Sequence, residues 1–388
     1  MTKTNDPIYK IVLNLNLIKS RLLTLKNIVV MKTLIASTTL LLMISTSALA
    51  QPAISIEPRP ATVYIEQADQ RQFVNCDFRI KNNNADSLQL TKLALTVYDK
   101  KGRMLLSRFL DDNGTAPSIQ VIPNREFNDT AIKLIFNPFS EFSKEVALDR
   151  LVFEFSFSNK KRETLTIQTA VMPVVYQQRQ TYLFPLKGRV LVYDGHDFYS
   201  HHRRFDYEFD FIRQLGLRSN FMRYAYDFIL TDSTGKQFRG KENKDEAYFG
   251  FGAPVYAVAA GKVLYVAQQH KDDKQFDVPA LLNNPLELYG NCIAIQHSNG
   301  AISLYGHLRQ NSSKLKVGDQ VKAGAQIGAI GVSGSSFLPH LHFEMRTSLT
   351  STAEGLPSNF SNVYLTGVAI PAKLKAGLVE TGNIIFAK

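Results

Sequence analysis

The chain has 388 residues, a formal charge of +11, two cysteines and no tryptophan, and with 45% apolar and 20% charged residues it has the composition of an ordinary globular protein. That balance excludes a wholly disordered or collagen-like chain, and two cysteines exclude a disulfide scaffold and a four-cysteine zinc site. The length suits two or three domains, each able to bury its own core.

The first 50 residues read as a leader. From Met31 the sequence MKTLIASTTLLLMISTSALAQ has one lysine, an apolar run and then Ala48-Leu49-Ala50, the small-residue pattern of a signal peptidase site. We therefore expect a signal peptide over 31–50, with Gln51 first in the mature chain. Residues 1–30 then form an extension that a translation start at Met31 would omit. Residues 1–50 hold six basic residues and one acid, so the mature chain keeps about +6 of the charge. No dense Lys/Arg block remains, which argues against nucleic acid as a partner and suits loose attraction to an anionic polymer. No other stretch reads as a membrane-spanning helix. The expectation is an exported protein of the periplasm or cell envelope, with no stable membrane insertion after signal cleavage.

Residues 51–179 read as short strands. Apolar side chains recur at every second position in Val74, Cys76, Phe78, Ile80, in Leu93, Leu95, Val97 and in Leu151, Phe153, Phe155, Phe157, the period of half-buried strands. Polar turns such as KNNNADS and DDNG separate them, and an immunoglobulin-like β-sandwich is the natural packing. Cys76 lies on the apolar face and reads as a small buried hydrophobe.

The alternation gives way over 174–188, a connector ending in Pro185 and Gly188, so a domain boundary is expected near 180. Beyond it, short strands alternate with two polar excursions, 232–247 and 268–290, long enough to form the walls of a binding site. From Lys316 to Gly334 five glycines separate single apolar residues, which predicts tight turns between very short strands. All eight histidines lie after residue 195, so any imidazole chemistry belongs to this half.

The strongest local feature is Pro339-His340-Leu341-His342-Phe343-Glu344-Met345. Its alternation predicts a strand on which His340 and His342 share one face while Leu341, Phe343 and Met345 face the core. Such a pair binds a metal together, or one histidine binds it while the other handles a proton. His307 ends a strand upstream, and Asp227 is a lone carboxylate inside the apolar strand YAYDFI. A buried carboxylate needs a cation, a metal or several donors beside it. Two imidazoles and one carboxylate with an open fourth position are typical of a hydrolytic zinc site.

At these residues a resemblance emerges. From about 188 to 348 the chain resembles the lysostaphin/LytM-type zinc endopeptidases, bacterial hydrolases of cell-wall peptides. The likeness is carried, in order, by YAYDF, FGAPVYAVAAGKV, GNCIAIQHSNG, LYGHL, KVGDQVKAGAQIGAIGVSG and PHLHFEM. It implies an all-β protein, in which the N-terminal sandwich is followed by an antiparallel β metallopeptidase domain over 180–350 with a C-terminal extension over 351–388. It also implies one Zn2+ per chain held by His202, Asp227 and His342, with His340 as general base and His307 orienting the water or stabilising the oxyanion. The commonest family pattern places the first histidine ligand four residues before the aspartate, where this chain has Arg223. The stretch Ser200-His201-His202-Arg203-Arg204 resembles members whose first ligand lies further upstream, with His202 favoured over His201. The implied activity is zinc-dependent hydrolysis of peptide bonds in peptidoglycan stem or cross-bridge peptides. The alternative is a non-catalytic relative that binds the wall or activates an amidase.

Overall fold

Phenylalanine at every second position organises the N-terminal half. In the strand Arg150–Asn159, Leu151, Phe153, Phe155 and Phe157 are fully buried while Val152 and Glu154 between them are half-exposed. Phe78 packs on this row from a second sheet, its ring 4.7 Å from Phe153 and 5.0 Å from Phe155. Each buried ring contributes about 1.5–3 kcal/mol relative to exposure. This computed structural model describes residues 53–388 except 85, 241–243, 367 and 369. The expected leader and the 30 residues before it lie outside the described residues.

Three small sheets build this half. Asp77–Asn82 lies between Ile54–Arg59 and Ile132–Phe136, and Arg150–Asn159 pairs with Thr164–Val171 and Leu88–Tyr98, the latter continued by Met104–Asp111. The third sheet orders Val174–Val175, Tyr64–Gln67, Arg71–Val74 and Glu141–Ser143. Their shared core runs from Ile54 to Val171 and contains Cys76.

The C-terminal half is built on one long sheet of antiparallel strand pairs, beside a two-stranded antiparallel sheet of Pro254–Tyr256 and Gln326–Ala329. At its centre Leu341–Arg346 is flanked by Ile302–Gly306 and Tyr226–Leu230, and the latter is followed by Gly188–Asp194 and Ile384–Ala387. Residues after 350 thus complete the sheet, and Phe360, Val363 and Ile385 join its core. The glycine-punctuated stretch forms the short strands Gln320–Val321 and Gln326–Ala329. The fold is all-β, as expected.

One expectation needs correction. The central strand begins at Leu341, so His340 precedes it, and all six of its residues are buried, not just one face. The reason lies in the 268–290 excursion, which folds into the helix Val278–Asn283 and the 3-10 turn Pro285–Tyr289 and covers the second face. Asp277 caps the first by accepting from the Ala280 N–H, and Asn284 caps the second by accepting from the Leu286 N–H. Tyr289 then donates its hydroxyl proton to Glu344 Oε1 at 3.0 Å.

This cover depends on two glycines. Gly290 (φ 59°) and Gly334 (φ 72°) cross backbone to backbone, and a Cβ on either would overlap the other's main chain. We expect Gly290→Ala to destabilise the protein by about 2 kcal/mol or more, measured by urea unfolding. An unchanged midpoint would show that the crossing relaxes freely.

Candidate metal centre

Register sets two of the candidate ligands. Asp227 pairs directly with His342, and Gly306 pairs with His342 on the other side. Directly opposed residues of an antiparallel ladder project to the same face, so carboxylate and imidazole meet there, with His342 Nδ1 3.2 Å from Asp227 Oδ1. A Cβ on Gly306 would press at 3.1–3.3 Å on Tyr289 and on His342 itself, so glycine leaves the imidazole its room. Although His340 lies just outside the strand, its Nε2 reaches Asp227 Oδ1 at 3.4 Å.

The third candidate comes from a loop. His202 is buried, its Nε2 3.6 Å from Asp227 Oδ1 and its ring 4.7 Å from that of His342. Its Nδ1 lies 2.9 Å from Asp194 Oδ2, a charge contact without the alignment of a linear hydrogen bond. His201 makes the same approach from outside. Its Nδ1 is 3.0 Å from Asp194 and its Nε2 3.7 Å from Asp227, but its side chain is 60% exposed against 5% for His202.

The remaining histidines show their tautomers. His340 Nδ1 lies 2.7 Å from the Leu338 carbonyl and His307 Nδ1 lies 2.8 Å from that of Ser333. A carbonyl only accepts, so in the neutral rings both Nδ1 atoms carry the proton and both Nε2 atoms are bare. His307 holds this pose from a left-handed backbone (φ 57°), its N–H bonded to Tyr289 O at 2.9 Å and its carbonyl accepting from the Gly331 N–H.

Charge is concentrated here. Burial alone would push the Asp227 carboxyl up, yet the fields of His202 and His340 hold it well below the usual range. Asp194 is likewise depressed, the cost of its burial being overridden by His201 and His202. Burial lowers His202, and burial reinforced by its imidazole neighbours lowers His307 strongly, so both are neutral near pH 7. Burial would lower His342 too, but its bonds with Asp227 and Glu344 raise it to about 9.

These groups fit a metal ion. Ligand atoms at about 2.0–2.2 Å from one tetrahedral ion lie roughly 3.3 Å from one another. Among the described residues, ligand atoms of His202, Asp227 and His342 lie within 4.8 Å of one another, with 3.6 Å and 3.2 Å between the carboxylate and its two imidazoles. His342 Nε2 and Glu344 Oε2, 3.6 Å apart, have no hydrogen-bond partner. That leaves His342 Nδ1 for the ion and Nε2 for a carboxylate behind it, an arrangement that fixes a ligand imidazole.

The structure thus brings together His202, Asp227, His307, His340 and His342, with His201 at the margin. His196 goes elsewhere, its Nε2 2.7 Å from the Tyr226 hydroxyl and its Nδ1 3.3 Å from Glu66. Arg223 turns away from Asp227 to Asp77. His297 closes a strand on Ser303 and the Ala260 carbonyl, and His270 faces Glu287. Both cysteines are free and buried, and burial raises both thiols, Cys76 to about 12. Sequence reasoning missed Asp194, Glu344 and Tyr289. Glu344 had a signal, since it shares the parity of His342 along the strand.

Residues 247–354 match the family model "Peptidase family M23". The cell division protein DipM of Caulobacter vibrioides is 33% identical over 106 residues, which are 27% of this chain and 14% of DipM. The DD-carboxypeptidase/endopeptidase Mpg of Neisseria meningitidis is 43% identical over 58 residues, 15% of this chain and 13% of Mpg. The chain thus spans about a seventh of the length of these two curated relatives. The lipoprotein NlpD of Yersinia enterocolitica is 33% identical over 95 residues, 24% of this chain but 78% of NlpD. The family match contains His307, His340 and His342 and begins after His202 and Asp227; with most of NlpD covered as well, this chain belongs to peptidase family M23.

Proposed function

We propose that the chain is an exported zinc endopeptidase of the periplasm or cell envelope that hydrolyses peptide bonds in peptidoglycan stem or cross-bridge peptides. The observation that carries this reading is the convergence of His202, Asp227 and His342 in front of two imidazoles with bare Nε2 atoms. Membership of a peptidase family and similarity to the DD-carboxypeptidase/endopeptidase Mpg support the reaction class. The hydrophobic clusters support a division into a β domain over 51–179, a catalytic domain over 180–350 and a C-terminal extension over 351–388 that completes the catalytic sheet.

His202 Nε2, Asp227 and His342 Nδ1 would hold the zinc, which when bound supplies Lewis acidity toward the scissile carbonyl and the attacking water. His340 Nε2 accepts a proton from that water and passes it to the leaving amine nitrogen. His307 can only accept at its bare Nε2, which supports the water-orienting role rather than donation to an oxyanion. Glu344 and Asp194 keep the imidazoles of His342 and His202 turned inward.

Purified protein should carry about one zinc per chain and release peptides from isolated sacculi. His340→Ala should retain the metal and lose about 10²–10⁴ in rate, whereas His342→Ala should lose the metal as well. Folded wild-type protein that holds no zinc and releases nothing would point to a non-catalytic wall-binding or amidase-activating relative.

The raised His342 sets a pH dependence. Below about 9 the metal-free imidazole holds a proton that must leave before Nδ1 can bind an ion. Zinc uptake at pH 7 should therefore release about one proton from this residue, falling toward zero above pH 9. Calorimetry in buffers of different ionisation enthalpy measures this, and release that does not decline at high pH would contradict it.

A further inference from the structure

We propose that Asp77, in the N-terminal β domain, is a positioning residue for the metal centre that acts on His202 through Arg203. The inference rests on the metal site proposed above. Two of its ligands need no such help, because Asp227 and His342 are fixed by the ladder that pairs them. His202 has no ladder. It sits in a stretch of turns and bends between the strand ending at Asp194 and the short helix Asp210–Gln214.

What holds that stretch is a set of polar contacts. On one side, Asp194 Oδ2 accepts from the Ser200 hydroxyl at 2.7 Å and, more weakly, from the His202 N–H at 3.4 Å. Beneath, the Asn220 side-chain amide donates to the carbonyls of His202 and Arg203. On the other side stands Arg203, the next residue, which is fully buried. Its Nε donates to Asn75 Oδ1 at 3.0 Å, its Nη2 to Cys76 O at 2.7 Å and its Nη1 to Asp77 Oδ1 at 2.5 Å. All three guanidinium nitrogens are thus spent on residues 75–77. A planar fork so held permits one orientation only, and the backbone of His202 is one peptide away.

Asp77 carries the charge of this anchor. Its second oxygen accepts from Arg223 Nη1 at 2.5 Å, and none of the three side chains is exposed. Glu354, 3.9 Å from Arg223 Nη2, lies on the far side. Arg203 and Arg223 therefore share one carboxylate and are chemically alike, but only Arg203 adjoins a proposed ligand. Arg223 precedes the Asp227 strand, whose position the ladder already sets.

That asymmetry makes the test. In the full chain, Arg203→Met and Arg223→Met each remove one arginine and leave Asp77 paired with the other. Zinc affinity is read by chelator competition, the ligand field by the visible spectrum of cobalt-substituted protein, and folding by thermal melting of the metal-free forms. Arg203→Met should weaken zinc binding about tenfold or more and alter the cobalt spectrum. Arg223→Met, at a similar loss of melting temperature, should stay within about twofold of wild type. Arg203→Lys, which keeps the charge but not the fork, should recover part of the affinity. Should Arg203→Met fail to fold, a second pair of variants decides: Asn75→Asp, which keeps the acceptor of Nε, and Asn75→Ala, which loses it, both lose the amide's bonds to Glu66 and the His196 carbonyl, and only Asn75→Ala should weaken zinc binding. Equal effects of both arginine substitutions, or none from Arg203→Met, while wild type binds zinc, would overturn the inference. Wild type that binds no zinc would instead refute the metal site, and the inference with it.

Discussion

A carboxylate that cannot leave a buried strand is the constraint on which this structure turns. Asp227 is bonded into the ladder on both flanks and is 1% exposed, so its carboxylate is shielded from bulk water. An unpaired ion there would cost several kcal/mol. The usual remedy, an arginine, is withheld, since Arg223 points to Asp77. Instead three imidazoles, those of His202, His340 and His342, stand 3.2–3.6 Å from Asp227 Oδ1, and burial disfavours the cation of His202 and of the neighbouring His307. Once His342 gives up its proton, the site concentrates negative charge and neutral nitrogen lone pairs in one place, which is the donor set that zinc prefers.

Legibility in the sequence followed local order. The PHLHFEM run showed its chemistry because strand parity is a short-range rule, and the same parity places Glu344 behind His342. It could not show that the strand is buried on both faces, because the cover arrives from Tyr289, some 50 residues upstream, through the Gly290 and Gly334 crossing. Asp194 was illegible for a related reason. It lies past a register shift between Val192 and Asp194 that brings it, rather than Tyr193, opposite Asp227.

The choice between His201 and His202 marks where pattern reading stops. Adjacent residues in a stretch without regular structure have no period to separate them, and here the two tilted rings lie 4.0 Å apart with nearly equal distances to both aspartates. Only burial distinguishes them, and burial is decided by what the next residue does. Arg203 is drawn inward by Asn75, Cys76 and Asp77, taking His202 down with it and leaving His201 at the rim.

That coupling changes how the N-terminal domain is to be understood. A domain that merely covered a groove would meet the catalytic sheet through exposed, exchangeable contacts. Here it meets it through a fully desolvated carboxylate between two arginines, with Glu66 on His196 and Arg79 on Glu208 nearby. Removing one partner of such a group costs about 3–5 kcal/mol, because the other is left as an uncompensated buried charge. The exposed His201 and the facing rings of Tyr193 and Phe337, 5.5 Å apart at the rim, are the side chains free to move without breaking that anchor.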